Sequence, residues 1–244
     1  MFKTLYIDLE TLPTSNQDVI KEITLSLDKK IEDELMSVKA PSNYGEEAKA
    51  KWRLEKGAPM IQSIMDSANK QLDEAIRKTA LDGAYGEICV IGLAIDDEEP
   101  VAFSGEPEGD MLNGLNDWLD DQFTQSDQST ITVIGHNVLQ FDLRFLFQRY
   151  VINGIRPHAI IRNAVKSKPW DGAVFDTMTQ WAGVGNRISL DKLCKALGVK
   201  TPKGEITGAN VYDFVKAGKI DEVAEYCLRD ISATREVHKR MVFA

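Results

Sequence analysis

The sequence predicts an α/β fold in which one sheet carries helices on its faces. Strand-like segments lie mainly in the first part of the chain, and helix-like segments dominate the second part. A strand at 131–135 leads directly into a helix that starts near Leu139, as in α/β sheets. The length of 244 residues suits one large domain, or one domain with an insertion.

Residues 2–10 are predicted to form the first strand, because apolar side chains recur along it and the first breaker is Pro13. Residues 14–84 then change to helical periodicity. Their apolar residues recur at about four-residue steps in two stripes, which a turn at 41–45 separates. This stretch is predicted to be a helical insertion between the first two strands.

The remaining elements follow from the same periodicities. They are strands at 87–95 and 100–104 joined by an acidic turn, a helix at 109–123, a strand at 131–135, a helix from about 139 to 153, a short strand ending at Asp176, and helices at 189–197, 208–217 and 220–241. We therefore expect residues 1–244 to form a single domain, with the insertion at about 14–84.

The composition excludes several classes of protein. Hydrophobic residues make up 43% and charged residues 27%, as in ordinary globular proteins. No apolar run is long enough to span a membrane, and the first residues lack the layout of a signal peptide, so we expect a cytoplasmic protein without a membrane partner. Cys89, Cys194 and Cys227 lie too far apart for a zinc knuckle and are predicted to be buried small hydrophobes.

The charge is unevenly distributed along the chain. The net charge of −9 argues against a protein that coats nucleic acid by bulk electrostatics. Residues 85–143 carry thirteen acids and no Lys or Arg, whereas 144–170 carry six bases and no acid. The basic stretch is either a solvated face whose charges pair with neighbours or a track for phosphates.

Asp8 and Glu10 are the most distinctive local feature. Side chains alternate across a strand, so both carboxylates project to one face, together with Tyr6. Two anions this close on a central strand are unfavourable unless a cation lies between them. The alternative is an edge strand whose carboxylates face water.

Two later segments supply further carboxylates. Asp142 lies in the first turn of the helix after the strand at 131–135, at the sheet edge where α/β proteins bind ligands. Its alternative role is to stabilise the helix dipole. In the last helix, Tyr226 and Asp230 are four residues apart and share a face, although that helix also has the apolar stripe of a plain packing helix.

Together these residues form the pattern DxE, then Nx3FD, then Yx3D. Here the chain resembles the four-carboxylate (DEDD) 3′-to-5′ exonucleases of the ribonuclease H-like superfamily, in the tyrosine-type branch. It is similar in particular to stand-alone phage and bacterial exonucleases related to the proofreading domain of family B DNA polymerases. The resemblance rests on YIDLET (6–11), APSNYGEEAKAKW (40–52), YGEICVIGLAI (85–95), GHNVLQFDLRFL (135–146), SLDKLCKALGV (189–199) and KGEITGANVYDF followed by YCLRD (203–230).

The resemblance implies a ribonuclease H-like mixed sheet with helices on both faces and a two-metal-ion mechanism. Ligands that offer only oxygen atoms favour Mg²⁺ or Mn²⁺ over zinc, and two such ions can hold a scissile phosphate. By resemblance, Asp8 contacts both ions. Glu10 and Asp230 bind the ion nearer the nucleophile, and Asp142 holds the other mainly through water. Tyr226 orients the attacking water.

The substrate contacts are expected beside these ligands. By resemblance, Thr11 and Leu12 meet the terminal nucleotide through backbone amides and an apolar wedge. Phe141 either stacks on a base or is a core aromatic. Asn137 either hydrogen-bonds the nucleotide or caps the helix that follows.

Lys200 and Lys203 lie in a glycine-containing loop of the basic stretch, and we predict that they grip backbone phosphates. Asp176, which follows the short strand, is interpreted as a hydrogen-bond organiser and not as a metal ligand.

We therefore expect a metal-dependent 3′-to-5′ exonuclease that releases nucleoside monophosphates from DNA. Its expected partner is DNA with a free 3′ end, single-stranded rather than duplex. The alternatives are an RNA 3′-end trimming exoribonuclease of ribonuclease D type and a non-catalytic module that binds nucleic-acid ends. The insertion is compatible with fencing the cleft, gripping a duplex or forming a dimer.

Overall fold

The computed structural model describes residues 3–124, 131–202 and 204–244. The chain divides into two compact units. The first contains the described parts of Met1–Leu12 and Leu81–Ala244, and the second is Pro13–Ala80. None of the helices in the described ranges combines the length and the apolar character that a membrane span needs.

A mixed sheet is the framework of the first unit. Its strands, within the described residues, are β1 (Thr4–Leu12), β2 (Glu87–Ile95), β3 (Val101–Ser104), β4 (Thr132–Gly135) and β5 (Val174–Asp176). They lie in the order β3-β2-β1-β4-β5. The pairs β1–β2 and β2–β3 are antiparallel, whereas β1–β4 and β4–β5 are parallel. The predicted α/β class is confirmed, and β1 is a central strand, so the edge-strand alternative for Asp8 and Glu10 is wrong.

Helices make up most of the remaining structure. The second unit contains α1 (Gln17–Ser37), α2 (Glu46–Trp52), a π-helical turn (Arg53–Gly57) and α3 (Ala58–Lys78), and the 3₁₀ turn Thr79–Leu81 follows. The first unit contains α4 (Glu108–Gln122), α5 (Asp142–Ile152), α6 (Ala159–Ala164), α7 (Thr177–Ala182), α8 (Leu190–Leu197), α9 (Val211–Lys216) and α10 (Ile220–Val242). Helices α6 and α7 were not predicted, because six residues are too few to show a clear helical period.

The second unit is a helical assembly in which α1 packs against α3. Asn16 caps α1 by accepting hydrogen bonds from backbone N–H groups of its first turn. The backbone N–H of Thr14 donates to Thr79 Oγ1 at 2.8 Å, which joins the two ends of the unit. Ala68 is the one buried residue of its α-helices, and the other residues of the predicted apolar stripes are half-buried or exposed.

One face of the sheet forms the main core of the first unit. Leu5, Ile7 and Leu9 of β1 are buried there with residues of α4 and α5, among them Leu115 and Phe145. These three side chains alternate with Tyr6, Asp8 and Glu10 along the strand. The apolar face therefore anchors β1, and the other face is left to carry the carboxylates.

The carboxylate face of the sheet is covered by α10. Tyr6 of β1 packs against Ile231 of α10, and Gly92 of β2 lies opposite Asp8 in the β1–β2 ladder. A Cβ atom on Gly92 would lie 2.6 Å from Cys227 Sγ and 3.3 Å from Ile231 Cγ1. Gly92 therefore permits α10 to lie close enough to the sheet to bring its side chains beside Asp8.

The substitution Gly92→Ala is expected to destabilise the protein. The added methyl group overlaps Cys227 Sγ and forces α10 away from the sheet, at a cost of about 1 to 3 kcal/mol in the free energy of unfolding. A melting curve should show Tm lower by several degrees. Gly208→Ala is the matched control, because a Cβ atom there would meet nothing within 4 Å. Equal Tm values for the two variants would contradict the close approach of α10.

Candidate active site

Asp8 and Glu10 project from β1 toward α10, as strand alternation predicted. Glu10 is buried and Asp8 is half-buried. The carboxylates of both lie close to the thiol of Cys227 on α10, with the three ligand atoms within 4.8 Å of one another. The centre of the candidate site is therefore the contact between the central strand and the last helix.

A β-bulge lies directly beside Glu10. Cys89 is an extra residue of β2, because it lies between the two residues that pair with Glu10 and Thr11. Its thiol donates to the backbone oxygen of Glu10 at 3.3 Å. Such bulges bend a strand and re-aim its side chains, and they are frequent next to active sites. This bulge shifts the register of the β1–β2 ladder directly after the carboxylate pair.

Asp142 joins the two β1 carboxylates from the start of α5. Its carboxylate is buried and accepts a hydrogen bond from the backbone N–H of Leu9 at 3.0 Å. The pairing of β1 with β4 stops at Tyr6 and Ile134, so this N–H lies beyond the ladder and Asp142 satisfies it. The same bond fixes Asp142 on the β1 backbone, between Asp8 and Glu10.

The turn that leads to Asp142 is organised by Asp176, at the end of β5. Its buried carboxylate accepts hydrogen bonds from the backbone N–H groups of Asn137, Leu139, Met178 and Thr179, at 3.0 to 3.2 Å. It therefore caps α7 and holds the turn after β4 at once. This arrangement agrees with its interpretation as a hydrogen-bond organiser.

Tyr226, Cys227 and Asp230 complete the site from α10. The Tyr226 hydroxyl lies within electrostatic reach of Asp230, since each residue shifts the pKa of the other. The Cys227 thiol donates to Asp8 Oδ2 at 3.3 Å. Cys227 was predicted to be only a buried hydrophobe, and its burial is confirmed, but its contact with Asp8 was missed. Its position one residue from Tyr226 was the only sequence signal for that contact.

The carboxylates hold one another in an unfavourable electrostatic environment. Burial raises the pKa of Asp8 well above its usual range, and the charges of Asp142, Glu10 and Asp230 raise it further. Burial, then the charges of Asp230 and Asp142, also raises the pKa of Glu10 well above normal. Each of the four acids thus lies within electrostatic reach of the others. The structure brings together the residues predicted as metal ligands.

The other titratable groups of the site are shifted in the same direction. Burial raises the pKa of Asp142 to about 7 and that of Asp230 to about 6, the latter against the opposing influence of the Tyr226 hydroxyl. Burial and the charge of Asp230 raise the pKa of the Tyr226 hydroxyl. Burial and the charge of Asp8 do the same for the Cys227 thiol. Tyr226 and Cys227 are therefore protonated donors at neutral pH.

The donor set fits hard divalent cations. Asp8, Glu10, Asp142 and Asp230 offer only carboxylate oxygens, which suit Mg²⁺ or Mn²⁺. Among the described residues, Asp230 Oδ1 is buried without a hydrogen-bond partner. A buried anionic oxygen of this kind is unfavourable unless something positive contacts it. Cys227, with its raised pKa, serves the site as a hydrogen-bond donor to Asp8.

The residues predicted to contact substrate lie around this centre. Thr11 and Leu12 follow the bulge at the end of β1, where Leu12 packs beside Val90 and Cys89. Phe141 is half-buried at the N-cap position of α5 and packs against the core.

Asn137 has a left-handed backbone with φ of 65°. The N-cap of α5 is Phe141, and no side chain caps the helix, so the capping alternative for Asn137 is wrong.

The basic stretch divides into paired and free charges. Arg149 is buried and forms an ion pair with Glu108 at 2.8 Å, so it is part of the scaffold and not of a phosphate track. Lys200 is exposed and lines a cavity of about 260 Å³ with Arg229 and Ser232 of α10. Lys203 lies outside the described residues.

The stability of the metal-free protein is expected to fall as the pH rises from about 5 to 8. The folded-state pKa values of Asp142 and Asp230 are raised to about 7 and about 6, above the unfolded values of about 4. The folded state therefore binds more protons than the unfolded state in this window, and its stability is lost as those protons leave.

Melting curves in EDTA between pH 5 and 8 test this expectation. The variant Asp142→Asn plus Asp230→Asn is the control, because it removes the two groups that titrate in this window and should flatten the profile. A Tm in EDTA that rises or stays constant over the window would show that burial does not raise the pKa values of Asp142 and Asp230.

Comparison with solved structures finds a similar fold within a DNA polymerase. The chain is similar to the family B DNA polymerase from the hyperthermophilic archaeon Pyrobaculum calidifontis, with a TM-score of 0.56 and 13% identity. The match covers all of this chain and 25% of the polymerase chain, so this chain spans about a quarter of the polymerase's length. At this identity the likeness shows the fold. A search of curated proteins found no match.

Comparison with protein families is more specific. Residues 113–244, more than half of the chain, match a family described as "Predicted 3'-5' exonuclease related to the exonuclease domain of PolB". The matched region contains Asp142, Tyr226 and Asp230, and the resemblance to the exonuclease domain of family B polymerases is confirmed. The chain belongs to this family of predicted 3′-5′ exonucleases.

Proposed function

We propose that the chain is a divalent-metal-dependent 3′-to-5′ exonuclease that removes nucleoside monophosphates from the 3′ end of DNA, preferably from single strands. The observation that carries the proposal is the convergence of Asp8, Glu10, Asp142 and Asp230, with Tyr226 within electrostatic reach of Asp230. These residues come from β1, α5 and α10, and packing alone gives no reason to bring together four acids, of which Glu10 and Asp142 are buried and Asp8 and Asp230 half-buried.

The four carboxylates would hold the ions. Two Mg²⁺ or Mn²⁺ ions, when bound, supply the positive charge that activates water and stabilises the scissile phosphate and the leaving 3′ oxygen. The bond from Leu9 N–H keeps Asp142 oriented for this task, and the Cys227 thiol does the same for Asp8. The ligands are thus positioned by backbone and helix contacts before any ion binds.

Tyr226 is proposed to orient the attacking water. Its raised pKa keeps the hydroxyl protonated at neutral pH, so it acts by position and hydrogen bonding and does not remove a proton. It is anchored by packing beside Val223 and Cys227 at the contact of α10 with the sheet.

The terminal nucleotide is proposed to lie between Thr11, Leu12, Phe141 and Asn137. The positive φ of Asn137 supports this role, because such backbone strain is stored mainly at functional sites. Asp176 holds the Asn137 backbone N–H at 3.1 Å and so stabilises the strained turn. The family's relation to a DNA polymerase domain supports DNA as the substrate.

Substitution of single site residues should strongly lower a metal-dependent activity. We expect 5′-labelled single-stranded DNA to shorten from its 3′ end only with Mg²⁺ or Mn²⁺. Asp8→Asn should lower the rate on the order of 10³-fold, because a metal ligand is lost. Tyr226→Phe should lower it by about 10²-fold, because the attacking water is misplaced.

The matched control is Asp121→Asn, which changes an exposed carboxylate of α4 and should cleave like the wild type. A parallel RNA substrate separates the ribonuclease D-type alternative, which would shorten RNA and leave DNA intact. Binding of DNA ends without cleavage under either metal would instead favour the non-catalytic module and refute the proposal.

Lys200 is expected to contribute a phosphate contact. Lys200→Glu should weaken binding to all DNA sequences alike, and should lower the slope of log Kd against log salt by roughly 0.7 for a single strand. Fluorescence anisotropy of an oligonucleotide at several salt concentrations measures both quantities. Arg240→Glu, about 15 Å along α10 from Asp230, is the control. A slower rate with an unchanged salt slope would show that Lys200 does not contact phosphates.

A further inference from the structure

Two tryptophans are exposed on the segment that follows α6 and continues through α7. Trp170 is 78% exposed and Trp181, on α7, is 47% exposed. The amide of Gln180 donates to the backbone oxygen of Pro169 at 3.1 Å, which ties the loop carrying Trp170 to the helix carrying Trp181. The core does not use either indole ring, although large aromatic side chains normally contribute most to a core.

The charges around these tryptophans are positive. Lys166, Lys168 and Arg187 are exposed, and among the described residues none of the three forms an ion pair. Asp171 is the exposed acid of this segment, and its carboxylate accepts a hydrogen bond from the Lys168 backbone at 2.7 Å. In a chain of net charge −9, this is a local concentration of free positive charge.

The same surface reaches Asn137, one of the residues proposed to contact the terminal nucleotide. Arg187 lines an open cavity of about 460 Å³ together with His136, Asn137 and Met178. His136 is fixed by Thr177 Oγ1 and by the backbone oxygen of Ile188, each at 2.9 Å. The cavity therefore connects the strained turn at Asn137 to α7, whose exposed side carries Trp181.

We propose that one exposed surface binds the single strand upstream of its 3′ end. This surface, here called the tryptophan surface, consists of Trp170, Trp181, Lys166, Lys168 and Arg187. Bases stack on the two indole rings, and the basic side chains meet the phosphates. Stacking on aromatic rings accepts any base, as an exonuclease that degrades any sequence requires. The substrate class rests on the proposed function. Charge complementarity selects a nucleic acid over a protein partner, because an apolar protein interface does not need free cations beside its tryptophans.

The proposal is tested by measuring how a variant that cannot cleave DNA binds a single strand. In the variant Asp8→Ala plus Glu10→Ala, a single-stranded 20-mer should quench intrinsic tryptophan fluorescence. Adding Trp170→Ala and Trp181→Ala should remove most of the quenching and raise Kd by about 10- to 100-fold. Phe147→Ala, which removes an exposed aromatic ring of α5 outside this surface, is the matched control and should bind normally.

A second variant keeps the test informative if the double alanine variant folds poorly. Lys166→Glu plus Lys168→Glu retains both rings and should weaken binding while flattening its salt dependence. Unchanged Kd and salt slope in this variant would overturn the proposal. Sedimentation gives a second way to overturn the proposal. If the Lys166→Glu plus Lys168→Glu variant loses self-association but binds DNA as before, the surface is a protein interface.

Cleavage assays separate this proposal from the proposed function. In the otherwise wild-type chain, the tryptophan variants should lose rate on a 20-mer through a higher KM and retain the rate on a dinucleotide, which is too short to reach the surface. Normal cleavage of the 20-mer by these variants would refute the DNA-binding role of the tryptophan surface and leave the proposed nuclease function intact. If the wild type cleaves nothing and the 20-mer still quenches Trp170 and Trp181, the nuclease proposal fails and the binding surface stands.

Discussion

The repulsion among buried carboxylates is the constraint on which the rest of the first unit depends. Burial and neighbouring charges raise the pKa of Asp8 and Glu10 well above normal, so the folded chain carries a local penalty that a cation would relieve. A structure tolerates such a penalty only where the surrounding packing over-determines it. The apolar face of β1, with Leu5, Ile7 and Leu9 in the main core, supplies that packing.

Two glycines allow a helix and a turn to pack closely on the sheet, which fixes the positions of the carboxylates. Gly92 lets α10 reach the sheet. Gly135 does the same for the turn after β4, where a Cβ atom would lie 2.6 Å from Val138 Cβ and 3.0 Å from the backbone oxygen of Ile7. Asp176 then ties that turn to β5 and α7 through backbone N–H groups. The carboxylates from α5 and α10 are thus placed by close contacts between regular elements, which hold side chains more precisely than loops do.

Local periodicity predicted much of this architecture. The alternation on β1 placed Asp8 and Glu10 on one face, and helical spacing placed Tyr226 and Asp230 together. The bulge at Cys89, the bond from Leu9 to Asp142 and the thiol contact of Cys227 were not predictable, because each depends on which strand or helix becomes a neighbour. Arg149 shows the same limit, since its pairing with Glu108 joins residues forty-one apart in the chain.

The distance along the chain between the two halves of the site also has a consequence for synthesis. Asp8 lies on the first strand and Asp230 on the last helix, and α10 must dock on Gly92 before the cluster exists. Because a ribosome delivers the chain from its amino end, the strand emerges long before its helical partner. A nascent polypeptide therefore lacks the four-carboxylate cluster until α10 has left the ribosome and folded onto the sheet.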